Sequence, residues 1–186
     1  YRRMEGCVVS RNCSDWASSS SRAVWIDSGT VDLVNCLVND NISGYCRTSE
    51  SVWETGTDAV YVGTGVRQVR ITNCTIASTP PDSRVQSGIE TAYVEGVSRR
   101  VLVRNSIVWG HSVGINTGPA KELGLLAFSD VQPNYGDFQW TGDGVIDVDP
   151  AFVDAAGGDY RLAPTSPCID TGDPESPLDP DGTRVD

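Results

Sequence analysis

Apolar and polar positions alternate along three stretches, each running up to an asparagine and restarting just beyond it. They are Val31-Asp32-Leu33-Val34-Asn35-Cys36-Leu37-Val38, Val69-Arg70-Ile71-Thr72-Asn73-Cys74-Thr75-Ile76 and Val101-Leu102-Val103-Arg104-Asn105-Ser106-Ile107-Val108. The asparagines stand 38 and 32 residues apart. A period of two is that of a strand with one face in a core. An Asn between two such strands predicts a sharp bend, because its short amide tolerates the left-handed backbone and bonds locally. Stacked repeats would set these asparagines one above another, each amide bonding to the next.

A second segment recurs upstream. Ala23-Val24-Trp25-Ile26-Asp27, Ala59-Val60-Tyr61-Val62-Gly63 and Thr91-Ala92-Tyr93-Val94-Glu95 superpose without gaps. Each repeat is thus a strand with a central aromatic, a short connection, a strand ending in Asn, and a third short strand. Three short strands recurring at this spacing predict an all-β solenoid, a parallel β-helix. The Trp-Asp and Leu-x-x-Leu-x-Leu signatures of propellers and leucine-rich repeats are absent.

Taken in order, residues 1–22 hold a degenerate repeat and a Ser-rich loop, and 23–38 the first clear repeat. Residues 39–58 form a long insertion, 59–76 the second repeat, 77–90 a shorter insertion, 91–109 the third repeat and 113–132 a fourth. That makes about five rungs over residues 1–132, with an irregular capping tail over 133–186 in the same domain. Insertions projecting from one edge of a solenoid commonly build its binding face.

Composition sharpens the class. One Lys and one Met accompany abundant Gly, Ser, Thr, Val and Asp, which favours strands. No apolar run approaches the ~18 residues of a membrane span. A net charge of −11 speaks against nucleic acid and anionic membranes as partners, and makes a neutral glycan a more natural ligand than an acidic one. The six cysteines form no C-x-x-C pairs, and the single His leaves little for zinc. Cys7, Cys36 and Cys74 share one repeat position and read as core fillers. Cys13 and Cys46, in loops of adjacent repeats, are the disulfide candidates, and Cys168 is left free. A disulfide places the chain outside the cytoplasm, secreted or on the cell surface. The start in mid-repeat leads to the expectation of a piece of a longer secreted protein.

The tail carries Asp149-Pro150-Ala151-Phe152-Val153-Asp154, Gly158-Asp159-Tyr160-Arg161-Leu162, Ser166-Pro167-Cys168-Ile169-Asp170-Thr171-Gly172-Asp173-Pro174 and Asp179-Pro180-Asp181-Gly182-Thr183-Arg184. With the preceding Asn105-to-Gly110 segment it resembles the end of bacterial secreted right-handed parallel β-helix proteins, over roughly residues 100–186. The resemblance implies that fold and secretion. Related β-helix proteins include polysaccharide lyases and hydrolases, surface proteins, and non-catalytic carbohydrate-binding modules of enzymes that degrade plant cell walls.

Catalytic motifs are scarce. The Asn-x-Asp, Asp-Asp, Gly-His-Gly and Arg-Ile-Lys segments of polygalacturonase-type hydrolases are not reproduced: His111 stands in Gly110-His111-Ser112, and Thr72 follows Arg70-Ile71. Asp27 and Glu95, with Glu54 and Asp58 between them, are the paired carboxylates to weigh for glycoside cleavage; the competing reading is a solvated acidic surface. For a lyase, Arg67, Arg70, Arg99, Arg100 and Arg104 fall near a different strand from those acids. His111 reads as a loop residue.

Because the apolar flanks must face the core, Trp25, Tyr61 and Tyr93 are expected outside in one column, a stripe suited to stacking on pyranose faces. Trp53 and Tyr45 could overhang it, with Asp27, Glu95 and Thr91 reaching hydroxyls. The alternative is that the rings only stabilise the sheet. Trp109 and Trp140 are expected to cover the end of the core. Asp179 and Asp181, like Asp170 and Asp173, have calcium-loop spacing but also suit ordinary turns, so no cofactor is required and calcium stays open. The expectation is a monomeric, non-catalytic carbohydrate-binding module for a plant cell-wall polysaccharide, xylan-type hemicellulose first, attached to a catalytic domain. A β-helix lyase or glycoside hydrolase is the alternative, and a ligand-free spacer the third.

Overall fold

A computed structural model of the protein describes residues 1–11, 13–14, 22–43, 57–78, 85–92, 100–117, 124–132 and 142–186. The strands among them, in chain order, are β1 (Arg2–Glu5), β2 (Val8–Ser10), β3 (Cys13–Ser14), β4 (Arg22–Val34), β5 (Leu37–Asn39), β6 (Ile42–Ser43), β7 (Thr57–Thr72) and β8 (Thr75–Ala77). They continue with β9 (Val85–Thr91), β10 (Arg100–Arg104), β11 (Ile107–Trp109), β12 (Val113–Asn116), β13 (Gly124–Ala127), β14 (Asp130–Val131), β15 (Phe152–Asp154) and β16 (Asp159–Leu162). The described residues contain no helix, and the protein is all-β.

Two large parallel sheets carry the fold. One is ordered β1-β4-β7-β10-β13, with β9 beside β7 and β12 beside β9; the other is ordered β2-β5-β8-β11-β14. Neighbours in each sheet follow chain order, so each strand is laid down beside its counterpart from the previous repeat. The strand division differs from the expected three per repeat. In β4 and β7 the first two predicted strands are continuous, and they are offset only by irregularities at Ile26/Ser28 and Gly29/Thr30. They become separate strands as β9 with β10 and β12 with β13.

The bend after the first sheet lies where the asparagines predict it. Asn35, Asn73 and Asn105 have φ of 52°, 53° and 49°, and Gly6 and Phe128 occupy the same column at 62° and 49°. Asn105 Nδ2 donates to Asn73 Oδ1 at 3.2 Å, one step of the expected ladder. One residue later, Cys7, Cys36, Cys74, Ser106 and Ser129 form a second column. The Cys36 N–H donates to Cys74 Sγ (3.4 Å), the Cys74 N–H to Ser106 Oγ (3.1 Å) and the Ser106 N–H to Ser129 Oγ (3.2 Å). Each thiol or hydroxyl also donates back to the carbonyl two residues earlier, as Cys74 does to Thr72 at 3.2 Å and Ser106 to Arg104 at 2.8 Å. The column therefore satisfies backbone groups that a tight bend leaves unpaired. Cys7, Cys36, Cys74 and Cys168 are free, the last three buried.

The core lies between the sheets. Leu33, Val69, Ile71 and Val103 from the first sheet meet Val38, Ile76 and Val108 from the second. Each such side chain contributes about 1.5–3 kcal/mol of burial. The tail docks on the bend edge: Arg104 pairs with Asp173 at 2.9 Å, and the Asp173 N–H donates to Asn105 Oδ1 at 2.8 Å. Farther along, Tyr160 donates to Asp40 at 2.6 Å.

Candidate functional site

The outer face at the beginning of the long strands concentrates the unusual chemistry. Val24 and Ile26, like Val60 and Val62, are buried, so the residues between them are forced outward. Trp25 is 60% exposed, the most exposed aromatic among the described residues after Tyr1. It meets Tyr61, its register partner, edge to face, with centroids 5.8 Å apart and planes at 79°. The two rings are therefore not a coplanar platform. The Arg22 guanidinium sits 3.5 Å from the Tyr61 centroid and 4.9 Å from that of Trp25. Tyr61 thus has one face occupied by a cation, a contact worth about 0.5–2 kcal/mol. Trp25 is left as the ring surface most open to a ligand.

The third position of this column is not an aromatic. Tyr61 is opposite Glu90, and Val60 and Val62 are opposite Ile89 and Thr91. Asn116 follows at the next strand. The expected superposition of Thr91-Ala92-Tyr93-Val94-Glu95 on the second repeat is therefore three residues out of register. The structure aligns Ser87-Gly88-Ile89-Glu90 instead, because Ile89 supplies the buried side chain that Val60 and Ile115 supply in their own strands. Tyr93, Glu95, Trp53, Glu54 and Tyr45 lie outside the described residues.

Beneath the rings is a polar cluster that the sequence reading missed. Asp58, expected in the long insertion, belongs to β7 and is buried. Arg22 Nε lies 3.7 Å from its Oδ2. Burial, followed by the charge of Glu90 and a hydrogen bond to it, pushes the Asp58 carboxyl well above the usual carboxylate range; Arg22 opposes the shift. Two carboxyl groups in direct contact leave no room between them for an anomeric carbon or a water, unlike the ~5–10 Å spacings of glycosidases. Their geometry suits holding Arg22 against Tyr61. The signal for this register was present in the sequence: Ser87-Gly88-Ile89-Glu90 and Val113-Gly114-Ile115-Asn116 repeat one pattern.

Asp27 is exposed at the irregularity that follows Ile26. Its carboxylate lies over Gly63, where a Cβ would come 2.8 Å from Oδ1, so glycine opposite makes room for this acid. Asp27 and Trp25 are thus on one face, with Arg22 behind the rings. Among the arginines weighed for a lyase, Arg70 is bound to Asp32 at 2.8 Å, which raises its pKa further and disqualifies it as a base. Arg104 is held by Asp173, Arg67 is exposed, and Arg99 and the Arg100 side chain lie outside the described residues.

His111 lies in the connection between β11 and β12, a loop position as expected, and is fully enclosed there at 1% exposure. Its Nε2 is 3.2 Å from the Ile76 carbonyl, which can only accept, so that nitrogen carries the proton. Gly88 leaves space for the ring, since a Cβ there would meet His111 Cδ2 at 2.9 Å. Burial lowers its pKa to about 4. Trp109 is half-buried on β11 rather than over the end of the core, and Trp140 lies outside the described residues. The Cys13–Cys46 pairing also falls outside them: only the backbone of Cys13 is described, in β3 beside Ile42.

The Asp179–Asp181 segment is a turn. The Gly182 N–H donates to Asp179 O at 2.8 Å, and Asp181 Oδ1 accepts from the Thr183 N–H (2.9 Å) and hydroxyl (2.7 Å). Among the described residues no group of three His, Cys, Asp or Glu side chains is arranged to hold a metal ion. In comparisons with known proteins the chain matches no family model, and no curated protein and no solved structure is similar to it.

Proposed function

We propose that this chain is a right-handed parallel β-helix module of a secreted protein. On this reading it binds a neutral plant cell-wall polysaccharide, xylan-type hemicellulose first, without cleaving it. The chain-order stacking of both parallel sheets supports the solenoid. The observation that carries the binding function is Trp25, a large indole 60% exposed on a sheet face, flanked by the Asp27 carboxylate. A pyranose presents C–H bonds to such a ring and hydroxyls to such an acid. The strongly negative chain suits an uncharged glycan, and calcium is not required by this geometry. Binding would hold an attached catalytic domain near insoluble substrate as a monomeric tether.

Affinity electrophoresis through gels containing xylan, glucan, mannan or pectate tests this reading. Retardation by a neutral glycan is expected, and Trp25→Ala should weaken it by at least about tenfold, as loss of an aromatic anchor does. Retention unchanged by Trp25→Ala would remove the proposal. The alternative, a glycoside hydrolase, would need a carboxyl such as Asp58 to reach substrate, which its burial and its contact with Glu90 oppose. Release of reducing ends by the intact protein, abolished in Asp58→Asn, would favour that alternative.

A further inference from the structure

The tail does not close over the whole bend column. At Asn105 it docks tightly, with the Asp173 N–H on Oδ1 and Ser176 Oγ 3.0 Å from Nδ2. Beside Asn35 and Asn73 it stands off, leaving a cleft of about 730 Å³. Asn35 and Asn73 line one side, and Tyr160, Asp170 and Asp186 are among the tail residues lining the cleft. Both asparagines are exposed. The Asn35 amide bonds to no described residue, and Asn73 uses only its Oδ1, for Asn105. Two open amides thus stand on adjacent strands, ~4.8 Å apart.

The chemistry of the walls selects the ligand. Amides both donate and accept, whereas carboxylates only accept, and a run of sugar hydroxyls satisfies both. An anion would be repelled by Asp170, Asp179, Asp181 and Asp186. A metal ion would find no group of three His, Cys, Asp or Glu side chains arranged to hold it among the described residues, and Asp181 Oδ1 and Asp186 Oδ1 already accept from Thr183 and from the Asp170 N–H at 2.7 Å. The volume falls in the range of small-ligand sites, about 300–1,000 Å³.

We infer that this cleft is a second carbohydrate site, taking a neutral sugar residue through the Asn35 and Asn73 amides. The nearer amide is ten residues along the chain from Trp25, on a different edge of the sheet, and the inference stands whether or not the indole binds. The test is isothermal titration of the whole chain with neutral tetrasaccharides of xylose, glucose and mannose. The variant Asn35→Gly/Asn73→Gly keeps the left-handed bends while removing both amides, and unchanged circular dichroism and Tm establish that it folds. At least one tetrasaccharide should bind in a mode that the double glycine variant weakens by about tenfold or more and that Trp25→Ala retains. Binding unaffected by the glycine variant, or no binding of any tetrasaccharide, overturns the inference. So does a calcium chloride titration that fills the cleft and is abolished by Asp186→Asn. Loss of binding in Trp25→Ala alone would support the indole surface while overturning the cleft.

Discussion

The two halves of the first sheet obey the same packing rule but were not equally readable. In the half leading to the bend, from Val31 through Val69 to Val101, the alternation and the Asn give the register that the structure has. In the other half, from Val24 through Val60, the third copy is displaced by three residues, and Glu90 stands where a tyrosine was expected. The difference is one of constraint. A left-handed bend admits few residue types, so Asn35, Asn73 and Asn105 mark the phase of each strand. An outward ring is constrained only by solvent, and matching Tyr93 to Tyr61 gave it weight that belonged to the inward Ile89. The register of a half-buried strand is set by what it buries.

Substitutions on the two sides of that comparison should separate widely. Ile71, fully buried beside the bend, is expected to cost about 3–4 kcal/mol as Ile71→Ala, read by urea denaturation. Trp25→Ala on the outer face should cost less than about 1 kcal/mol in the same assay. Equal losses would mean that the indole is packed as core and would remove it from any binding role.

Next in size is a pH effect. His111 is held neutral, its pKa lowered by burial to about 4 from 6.5. Its contribution is complete above about pH 6.5 and is lost as pH falls towards 4, on the order of 3 kcal/mol. Asp130 has the opposite sign. Burial raises its carboxyl to about 6, with the Val148 N–H partly offsetting this, so its contribution is present at low pH and lost as pH rises through 6. The stability advantage of the native chain over His111→Gln should therefore shrink between pH 7 and pH 4.5. Its difference from Asp130→Asn should move the other way. Parallel curves for both variants would contradict the burial of these groups.

A smaller loss than those of the core and of the buried titratable groups probes the bend itself. Asn73→Ala must hold a left-handed backbone and gives up the bond from Asn105, so a loss of about 1–2 kcal/mol is expected. Asn73→Gly should recover most of it. An alanine variant as stable as the glycine one would show that the bend is not set by backbone preference.

Much of the remaining architecture was legible for the same reason. The shared position of Cys7, Cys36 and Cys74 and the outward direction of Trp25 follow from strict alternation. What could not be read were diagonal contacts. Arg22 reaches Tyr61 between strands aligned as expected, and Asp58 reaches Glu90 across the pair whose register the sequence had misplaced. His111 was hidden because its enclosure depends on the missing side chain of Gly88, a residue 23 positions earlier.

The sulfur and hydroxyl column also sets a grammar for lengthening this wall. From Cys74 onward, through Ser106 to Ser129, each Sγ or Oγ takes a backbone hydrogen from the repeat before and returns its own to the repeat it belongs to. Cysteine and serine are interchangeable words in that sentence, whereas alanine or valine would silence both exchanges. A repeat could therefore be inserted or deleted as a unit wherever the seam retains one of those two residues. The chain thereby has a route to longer or shorter sheets without redesigning its interior.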